Sequence, residues 1–536
     1  MRTTMEAVTA PHRRRPALGP VALLTFLAAL ATVAPRETQA QQGARVQVVE
    51  ATIGELHREM LAGRLTARAL VEAYLARIEA YDRKGPSLNA NRVVNPGALA
   101  RADSLDAELR RTGALTGPLH GIPVIVKDNY DFAGMATTAG SASLAASTPP
   151  DDAFQVRRIR EAGAIVLAKS NMAEFAFSPY ETLGSRLPGF TRNPYATNRV
   201  TAGSSGGTAA VVAASLAAVG LGTDTGNSIR GPSSHNALAG IRSTIGLTSR
   251  DGIVPLYFSH DIGGPMARTV ADAVAVFDVI AGTDPADPTT AEADARRAAD
   301  YNAFLDAGAL AGARIGVVRQ ISDARNGDPR VLERFEEALA DLRGAGAEIV
   351  DPVAIPMLDE RVQFWCSRFH YDINAYLATL GADAPVKSLT EIVESGDYDR
   401  TVRDRLRRAL EESLEDPAVR CAEQEANRGR FREQVSGILR EQGLDALVYP
   451  TWSNLPRLIG DMRSPAGDNS QVLSPQTGFP AITVPMGWVE EGGARLPVGL
   501  QIFGDAWSEP RLIALAYAYE QATRHRQPPP TTPPLR

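Results

Sequence analysis

Residues 201–230 read TAGSSGGTAAVVAASLAAVGLGTDTGNSIR and place two glycine-rich turns on either side of a short apolar run. The first turn contains Ser204, and the second includes Ser228. Because the run between them has the length of a short buried helix, we expect the two hydroxyl groups to lie close together. Glycine- and serine-rich turns are also common as plain connections, and residues 201–207 taken alone fit that interpretation.

The second turn is harder to explain as a plain connection. Its residues Gly222, Gly226 and Asn227 tolerate a positive φ, and a backbone of that kind can direct several N–H groups at one point. Convergent N–H groups are what an oxyanion hole requires. The turn therefore predicts a place for a developing negative charge beside Ser228.

A buried strand precedes the first turn. Residues 122–126 read IPVIV, a continuously apolar pattern typical of a strand covered on both faces, and Lys127 follows at once. A lysine at such a place is usually a surface group or an ion-pair partner. If it is enclosed instead, desolvation lowers the pKa of its ammonium group and makes a neutral amine available as a base. His120 has the more common interpretation of a structural hydrogen-bonding residue.

Helical and strand patterns alternate around these motifs. Helices are predicted for residues 154–162 and after Gly207, and strands for residues 165–168 and 219–221. This alternation predicts an α/β fold with a sheet covered by helices. Chemistry in such sheets gathers at the carboxyl ends of strands, which is where Lys127 and the second turn lie.

The first forty residues have the pattern of a secretory signal peptide. Residues 12–15 are basic, residues 21–34 are apolar, and residues 38–40 suit a cleavage site. A retained membrane anchor is the alternative, but the apolar run is shorter than the ~20 residues of a spanning helix. We therefore expect cleavage near Ala40, a periplasmic or secreted location, and no membrane association of the mature chain.

Composition limits the other function classes. The net charge of −6 gives no reason to expect a nucleic-acid partner, and 44% hydrophobic residues in a chain of 536 can bury a large core, in one domain or in two or three. No HExxH, CxxC or P-loop pattern occurs, so neither a metal nor a cofactor is predicted. Cys366 and Cys421 could form a disulfide after export or remain free thiols in a helical region.

Several motifs occur in a fixed order along the chain. They are GPLHGIPVIVKDN at 117–129, GSSGG at 203–207, GTDTGNSIR at 222–230, GIVP at 252–255, GPMARTV at 264–270, GFPAITVP at 478–485 and LPVGLQ at 496–501. This ordered set resembles the amidase signature family over essentially the whole mature chain. The resemblance implies a single large domain, residues 41–536, with a central mixed β-sheet covered by helices on both faces.

Two parts of that domain carry separate expectations. Residues 356–442 are mostly helical in pattern and highly charged, and the resemblance implies that they help to form the substrate pocket, with Trp365, Phe369 and Trp452 as possible lining residues. Residues 527–536 are proline-rich, which predicts a flexible tail.

The resemblance also implies a catalytic triad. Ser228 matches the nucleophile, Ser204 a bridging serine that follows a cis peptide bond after Gly203, and Lys127 the base. The implied oxyanion hole consists of the backbone N–H groups of Thr225, Gly226, Asn227 and Ser228, and the implied supporting residues are Ser205, Asp224 and Arg230. Asn227 departs from the glycine that the family most often has, so its side chain would intrude on the space beside the nucleophile or add a donor to it.

The implied activity is hydrolysis of a carboxylic amide through an acyl-enzyme, without metal or cofactor. The substrate would be a small-molecule amide, an aryl amide or a C-terminally amidated peptide. Esters and carbamates are an alternative within the family, and so is the amidase subunit that supplies ammonia to a charged tRNA, although export disfavours that cytosolic role. A periplasmic solute-binding protein is the alternative from another class. The sequence makes no prediction of oligomeric state.

Overall fold

The computed structural model describes residues 47–382 and 384–535, which belong to one compact unit. The predicted signal peptide, residues 1–40, lies outside the described residues. In the described ranges, no helix combines the length and the apolar character needed to span a membrane.

A large mixed β-sheet organises the described residues. Its strands and those of a separate two-stranded sheet are β1 (Asn91–Val94), β2 (Pro123–Lys127), β3 (Ile165–Ser170), β4 (Arg192–Asn193), β5 (Ala196–Val200), β6 (Val219–Asp224), β7 (Ala239–Arg242), β8 (Ile262–Ala267), β9 (Arg314–Val317), β10 (Glu348–Val350), β11 (Ala446–Pro450), β12 (Ala481–Glu491) and β13 (Ala494–Phe503). The large sheet has the order β1-β3-β2-β6-β8-β7-β12-β13-β11-β9-β10, and β4 pairs with β5 alone. The expectation of a central mixed sheet is confirmed.

Strand direction brings the two serine turns to one edge of this sheet. Strand β2 runs parallel to both β3 and β6, with Val126 opposite Leu221 in the latter pair. The carboxyl ends of parallel neighbours meet at the same edge, so Lys127 at the end of β2 lies beside Asp224 at the end of β6. Every residue of both strands is buried, including the polar residues at their carboxyl ends.

Helices flank the sheet. They are α1 (Ile53–Leu61), α2 (Ala67–Arg77), α3 (Ala98–Thr112), α4 (Phe154–Glu161), α5 (Gly206–Ala213), α6 (Arg230–His235), α7 (Val270–Ile280), α8 (Ala293–Arg296), α9 (Arg319–Ser322), α10 (Pro329–Gly344), α11 (Phe369–Thr379), α12 (Leu389–Ser395), α13 (Arg403–Leu410), α14 (Pro417–Arg420), α15 (Ala422–Glu441), α16 (Ser474–Thr477) and α17 (Glu509–Thr523). Local chemistry fixes several of their ends. Thr52 and Glu55, for example, exchange side-chain and backbone hydrogen bonds at the start of α1.

The region 356–442 contains α11 to α15 joined by irregular segments. Residues 360–368 have no regular secondary structure. Cys366 in this segment forms a disulfide with Cys421, which immediately precedes α15. Of the two alternatives open for the cysteines, the structure has the disulfide.

The proline-rich tail differs from the flexible segment that its composition predicts. It has no helix or strand up to residue 535, but its backbone is held against the rest of the protein. The buried guanidinium group of Arg77 donates to the carbonyl oxygens of Thr532 at 2.8 Å and Pro533 at 2.9 Å, and Tyr81 Oη donates to Pro533 O at 2.7 Å. Composition missed this because the partners lie more than four hundred residues earlier in the chain.

Candidate active site

Lys127 is enclosed, in contrast to the usual exposed position of a lysine. Its side chain is fully buried at the end of β2, and Nζ donates to Ser204 Oγ at 2.6 Å and to Thr223 Oγ1 at 2.7 Å. Burial lowers the pKa of Lys127 to about 7, although the charges of Asp224 and Asp261 act in the opposite direction. A substantial share of neutral amine is therefore present at neutral pH, in contact with a serine hydroxyl.

The first serine turn passes close to surrounding backbone. The peptide bond between Gly203 and Ser204 is cis, as the resemblance implies. A Cβ atom on Gly203 would lie 2.3 Å from Glu181 O, so only glycine fits there. Ser205 Oγ donates to Thr223 O at 3.1 Å and accepts from Thr223 N at 3.3 Å. These two bonds tie the turn to the end of β6.

Ser228 lies in the second turn but is not joined to Ser204. Its Oγ donates to Asn227 Oδ1 at 3.2 Å, and within the described ranges no hydrogen bond links the two serines. The Asn227 side chain is itself held, because Nδ2 donates to Pro179 O at 3.2 Å. A serine hydroxyl has one proton to donate, so a relay from Ser228 to Ser204 requires this hydroxyl to leave Asn227.

The backbone of the second turn differs from the expectation in one respect. Gly222, Gly226 and Asn227 all have negative φ, so the turn does not use the left-handed region. Its path is set instead by Asp224, whose carboxylate accepts from the backbone N–H groups of Ile229 at 3.1 Å and Arg230 at 3.4 Å.

The four N–H groups that the resemblance assigns to an oxyanion hole belong to residues that line a pocket. In the described part of the chain, none of these backbone groups has an acceptor, and all four residues line the pocket: Thr225, Gly226, Asn227 and Ser228. Backbone N–H groups of native proteins are nearly always paired unless they face solvent or a ligand. The turn is therefore able to donate to a bound oxygen atom.

Two buried arginines hold Asp224. Arg230 Nε approaches its carboxylate at 3.1 Å and Arg242 Nη1 at 3.0 Å, and all three side chains are fully buried. Burial alone would raise the pKa of Asp224, but the two guanidinium groups lower it to about 2. Arg230 also donates to Gly226 O at 2.7 Å, which fixes the middle of the turn.

Three polar residues of the site were missed from the sequence. Thr223 accepts from Lys127, Arg242 pairs with Asp224, and Asp261 Oδ1 accepts from Thr225 Oγ1 at 2.5 Å. Burial raises the pKa of Asp261 to about 6. An available signal was a lone charge at the end of an apolar run, because Arg242 ends β7 in the same way as Lys127 ends β2.

A pocket of about 380 Å³ opens over the second turn. Besides the turn, its wall is mostly aromatic and apolar: Phe177, Tyr180, Leu256, Tyr257 and Trp365. Arg405 adds a guanidinium group, which lies 4.3 Å from the centre of the Phe177 ring and donates to Phe177 O at 2.6 Å. This size and lining are typical of a site for a small organic group.

Of the three lining residues considered from the sequence, Trp365 faces the pocket. Phe369 is buried beneath it, 4.7 Å from the Phe177 ring. Trp452 is buried against α6, the helix that follows Ser228, where it stacks on His235 at 4.7 Å and donates to Gly231 O at 3.2 Å. No group of three or more His, Cys, Asp or Glu side chains in the described residues could hold a metal ion.

Comparison with known proteins places this geometry in a family. Residues 69–513 match the model of the family described as Amidase. A probable amidase of Arabidopsis thaliana is 34% identical over 530 residues, which cover 95% of this chain and 96% of that protein. A glutamyl-tRNA(Gln) amidotransferase subunit of Streptomyces coelicolor is 33% identical over 500 residues, covering 89% of this chain and 96% of that protein.

Among solved structures, the native peptide amidase of Stenotrophomonas maltophilia is similar to this chain throughout. Its sequence is 41% identical, the TM-score is 0.79, and the match covers 90% of this chain and 98% of the peptide amidase. These matches contradict the alternative that the chain is a solute-binding protein. The chain belongs to the Amidase family and is a hydrolase of carbon–nitrogen bonds in amides.

Proposed function

We propose that this amidase acts through a triad in which Ser228 is the nucleophile, Ser204 the proton relay and Lys127 the base. The observation that carries the proposal is the 2.6 Å contact between Lys127 Nζ and Ser204 Oγ, in a site where the amine is fully buried. A serine hydroxyl is a weak nucleophile until a base takes its proton. The lowered pKa of Lys127, about 7, supplies that base near neutral pH.

Two proton transfers accompany the attack on the amide carbon, and two transfers in the opposite direction accompany release of the amine. As Ser228 Oγ attacks the amide carbon, its proton goes to Ser204 Oγ, and the proton of Ser204 goes to Lys127 Nζ. The tetrahedral intermediate then breaks its C–N bond: Ser204 Oγ gives its proton to the departing amine and recovers one from Lys127 Nζ, which becomes neutral again. Water repeats the cycle on the acyl-enzyme and releases the carboxylic acid.

The developing oxyanion is held by the backbone N–H groups of Thr225, Gly226, Asn227 and Ser228. Loss of one such donor typically costs ~3 to 4 kcal/mol of transition-state stabilisation. Arg230 and Asp224 keep the donors in place without touching the substrate, since they bind the carbonyl of Gly226 and the N–H groups beyond Ser228.

The substrate of this proposal is an amide of small or moderate size, including the C-terminal amide of a peptide. Two observations support it: an aromatic pocket of about 380 Å³ over the second turn, and 41% identity to a peptide amidase. Esters and carbamates also offer a carbonyl carbon to Ser228, and they remain the alternative substrates within the family. The tRNA-dependent amidotransferase is less favoured, because that relative is 33% identical to this chain whereas the peptide amidase is 41% identical.

The test is a panel of carboxamides, anilides, amidated dipeptides, esters and carbamates, hydrolysed by the purified chain without partner subunits. Ser228→Ala serves as the matched control. We expect turnover of amides by the wild type and none by the variant. Near-normal turnover by Ser228→Ala would remove the nucleophile assignment, and dependence on partner subunits would favour the amidotransferase.

A second part of the proposal is export of the chain with removal of residues 1–40. The residue pattern of this segment supports it, and so does the Cys366–Cys421 disulfide, since such bonds persist in oxidising compartments. N-terminal sequencing of the protein from its native source, after cell fractionation, should find a start near residue 41 outside the cytosol. An intact N-terminus in the cytosolic fraction would refute this part.

A further inference from the structure

One wall of the pocket comes from residues 360–368, a segment without regular secondary structure. Trp365 is half-buried in this segment and lines the same pocket as Ser228. Because the segment has no ladder of backbone hydrogen bonds, side-chain contacts have to fix the position of the indole ring. Two sets of contacts do so.

The first set joins Trp365 to the catalytic turn. Its ring stacks on His260 with centroids 4.4 Å apart and planes 15° apart. His260 O accepts from Arg242 Nη2 at 2.9 Å, and the next residue, Asp261, accepts from Thr225 Oγ1 at 2.5 Å. The indole is thus packed on the residues that also support the oxyanion turn.

The second set joins the segment to α15. Cys366, adjacent to the tryptophan, is bonded to Cys421, and the two Cα atoms are 5.7 Å apart. On the other side of the tryptophan, Phe364 packs on Phe431 with ring centroids 4.9 Å apart. Of these attachments the disulfide is the covalent one, and it lies one residue from the indole.

We propose that Trp365 is a specificity-determining residue that favours amides carrying an aromatic ring next to the scissile carbonyl, and that the Cys366–Cys421 disulfide holds it in position. The ring of such a substrate would meet Tyr180 and Tyr257 as well as Trp365, and aromatic rings prefer one another in offset or edge-to-face contact. Trp365 touches the substrate in this account, and the two cysteines act only through it. The inference rests on the proposed chemistry at Ser228.

The test is the ratio of kcat/KM for N-acetyl-phenylalaninamide to that for N-acetyl-alaninamide. Trp365→Leu should lower this ratio by up to about tenfold, the range expected for the loss of an aromatic contact, while Trp365→Phe keeps most of it. Trp488→Leu is the matched control, because Trp488 packs on Tyr195 away from the pocket. An unchanged ratio in Trp365→Leu would overturn the assignment of Trp365.

The double variant Cys366→Ser with Cys421→Ser tests the cross-link. We expect it to keep turnover of the alanine amide, because neither cysteine lines the pocket of Ser228, and to lower the ratio about threefold as the indole loses its fixed position. A wild-type ratio in this variant would overturn the role of the disulfide. A wild type that hydrolyses neither amide would overturn the proposed function itself, an outcome distinct from an active enzyme without preference.

Discussion

Asp224→Asn removes one charge from a fully buried cluster of three. The two guanidinium groups lower the pKa of Asp224 from 3.8 to about 2, which corresponds to roughly 2 to 3 kcal/mol of stability. This contribution is present above the unfolded pKa of 3.8 and is lost as the pH falls through about 2. The variant also leaves Arg230 and Arg242 buried without a counter-charge, so its cost at pH 7 should reach about 3 to 5 kcal/mol.

We expect the same substitution to shift the pH profile of kcat/KM. The negative charge of Asp224 raises the pKa of Lys127 against the effect of burial, so its removal lowers that pKa further. A base must be neutral to act, and the acid limb of kcat/KM should therefore move to lower pH in the variant. Urea unfolding at pH 7 measures the loss of stability, and kcat/KM measured over a series of pH values gives the position of the acid limb.

Asp287→Asn is the matched control for both measurements. Asp287 is a buried aspartate paired with Arg250 at 2.6 Å, and its pKa is also about 2, because hydrogen bonds and the charge of Arg250 outweigh the effect of burial. Its charge is not among those that raise the pKa of Lys127. The control should lose stability without moving the acid limb. An unmoved limb in Asp224→Asn, or equal shifts in the two variants, would refute the electrostatic link to Lys127.

Three further substitutions test other parts of the site. Asn227→Gly removes the hydrogen-bond acceptor of the Ser228 hydroxyl and enlarges the pocket. The kcat/KM for a bulky amide should therefore rise relative to that for acetamide, and a fall for both substrates would contradict this. Gly203→Ala should yield no active soluble protein, because its Cβ would lie 2.3 Å from Glu181 O, and normal yield and activity would count against the close approach. Ser205→Ala should reduce kcat with little change in KM, since it breaks the tie to Thr223 without touching the pocket; a change in KM alone would exclude that role.

Much of the fold can be predicted where one local pattern determines structure. The pattern of residues 509–523 predicts the last helix, and α17 spans Glu509–Thr523. The continuously apolar residues 122–126 likewise predict strand β2, but they do not predict that Lys127 at its end is buried. Prediction is weaker where a strand is polar. The apolar residues 481–486 predict a strand, but β12 extends beyond them to Glu491, because it forms a hairpin with β13 whose far end carries charged side chains.

The site is predictable in its motifs but not in its long-range partners. Arg242 and Asp261 come from β7 and the approach to β8, and no local pattern relates them to the turn that they support. The resting hydrogen bond of Ser228 depends on the side chain of Asn227, which the sequence identifies as unusual but cannot orient. The disulfide likewise joins positions 55 residues apart, a pairing that only the tertiary fold fixes.

The proposed chemistry requires the amine of Lys127 to be uncharged for much of the time at neutral pH. A ¹⁵N NMR titration of the lysine side chains, with Lys127→Met to assign the signal, measures this directly. We expect Lys127 Nζ to lose its proton near pH 7, where an ordinary lysine is still charged, and kcat/KM to rise over the same pH range. A signal that stays charged to about pH 10, the range of an ordinary lysine, in an enzyme already active at pH 7, would contradict it.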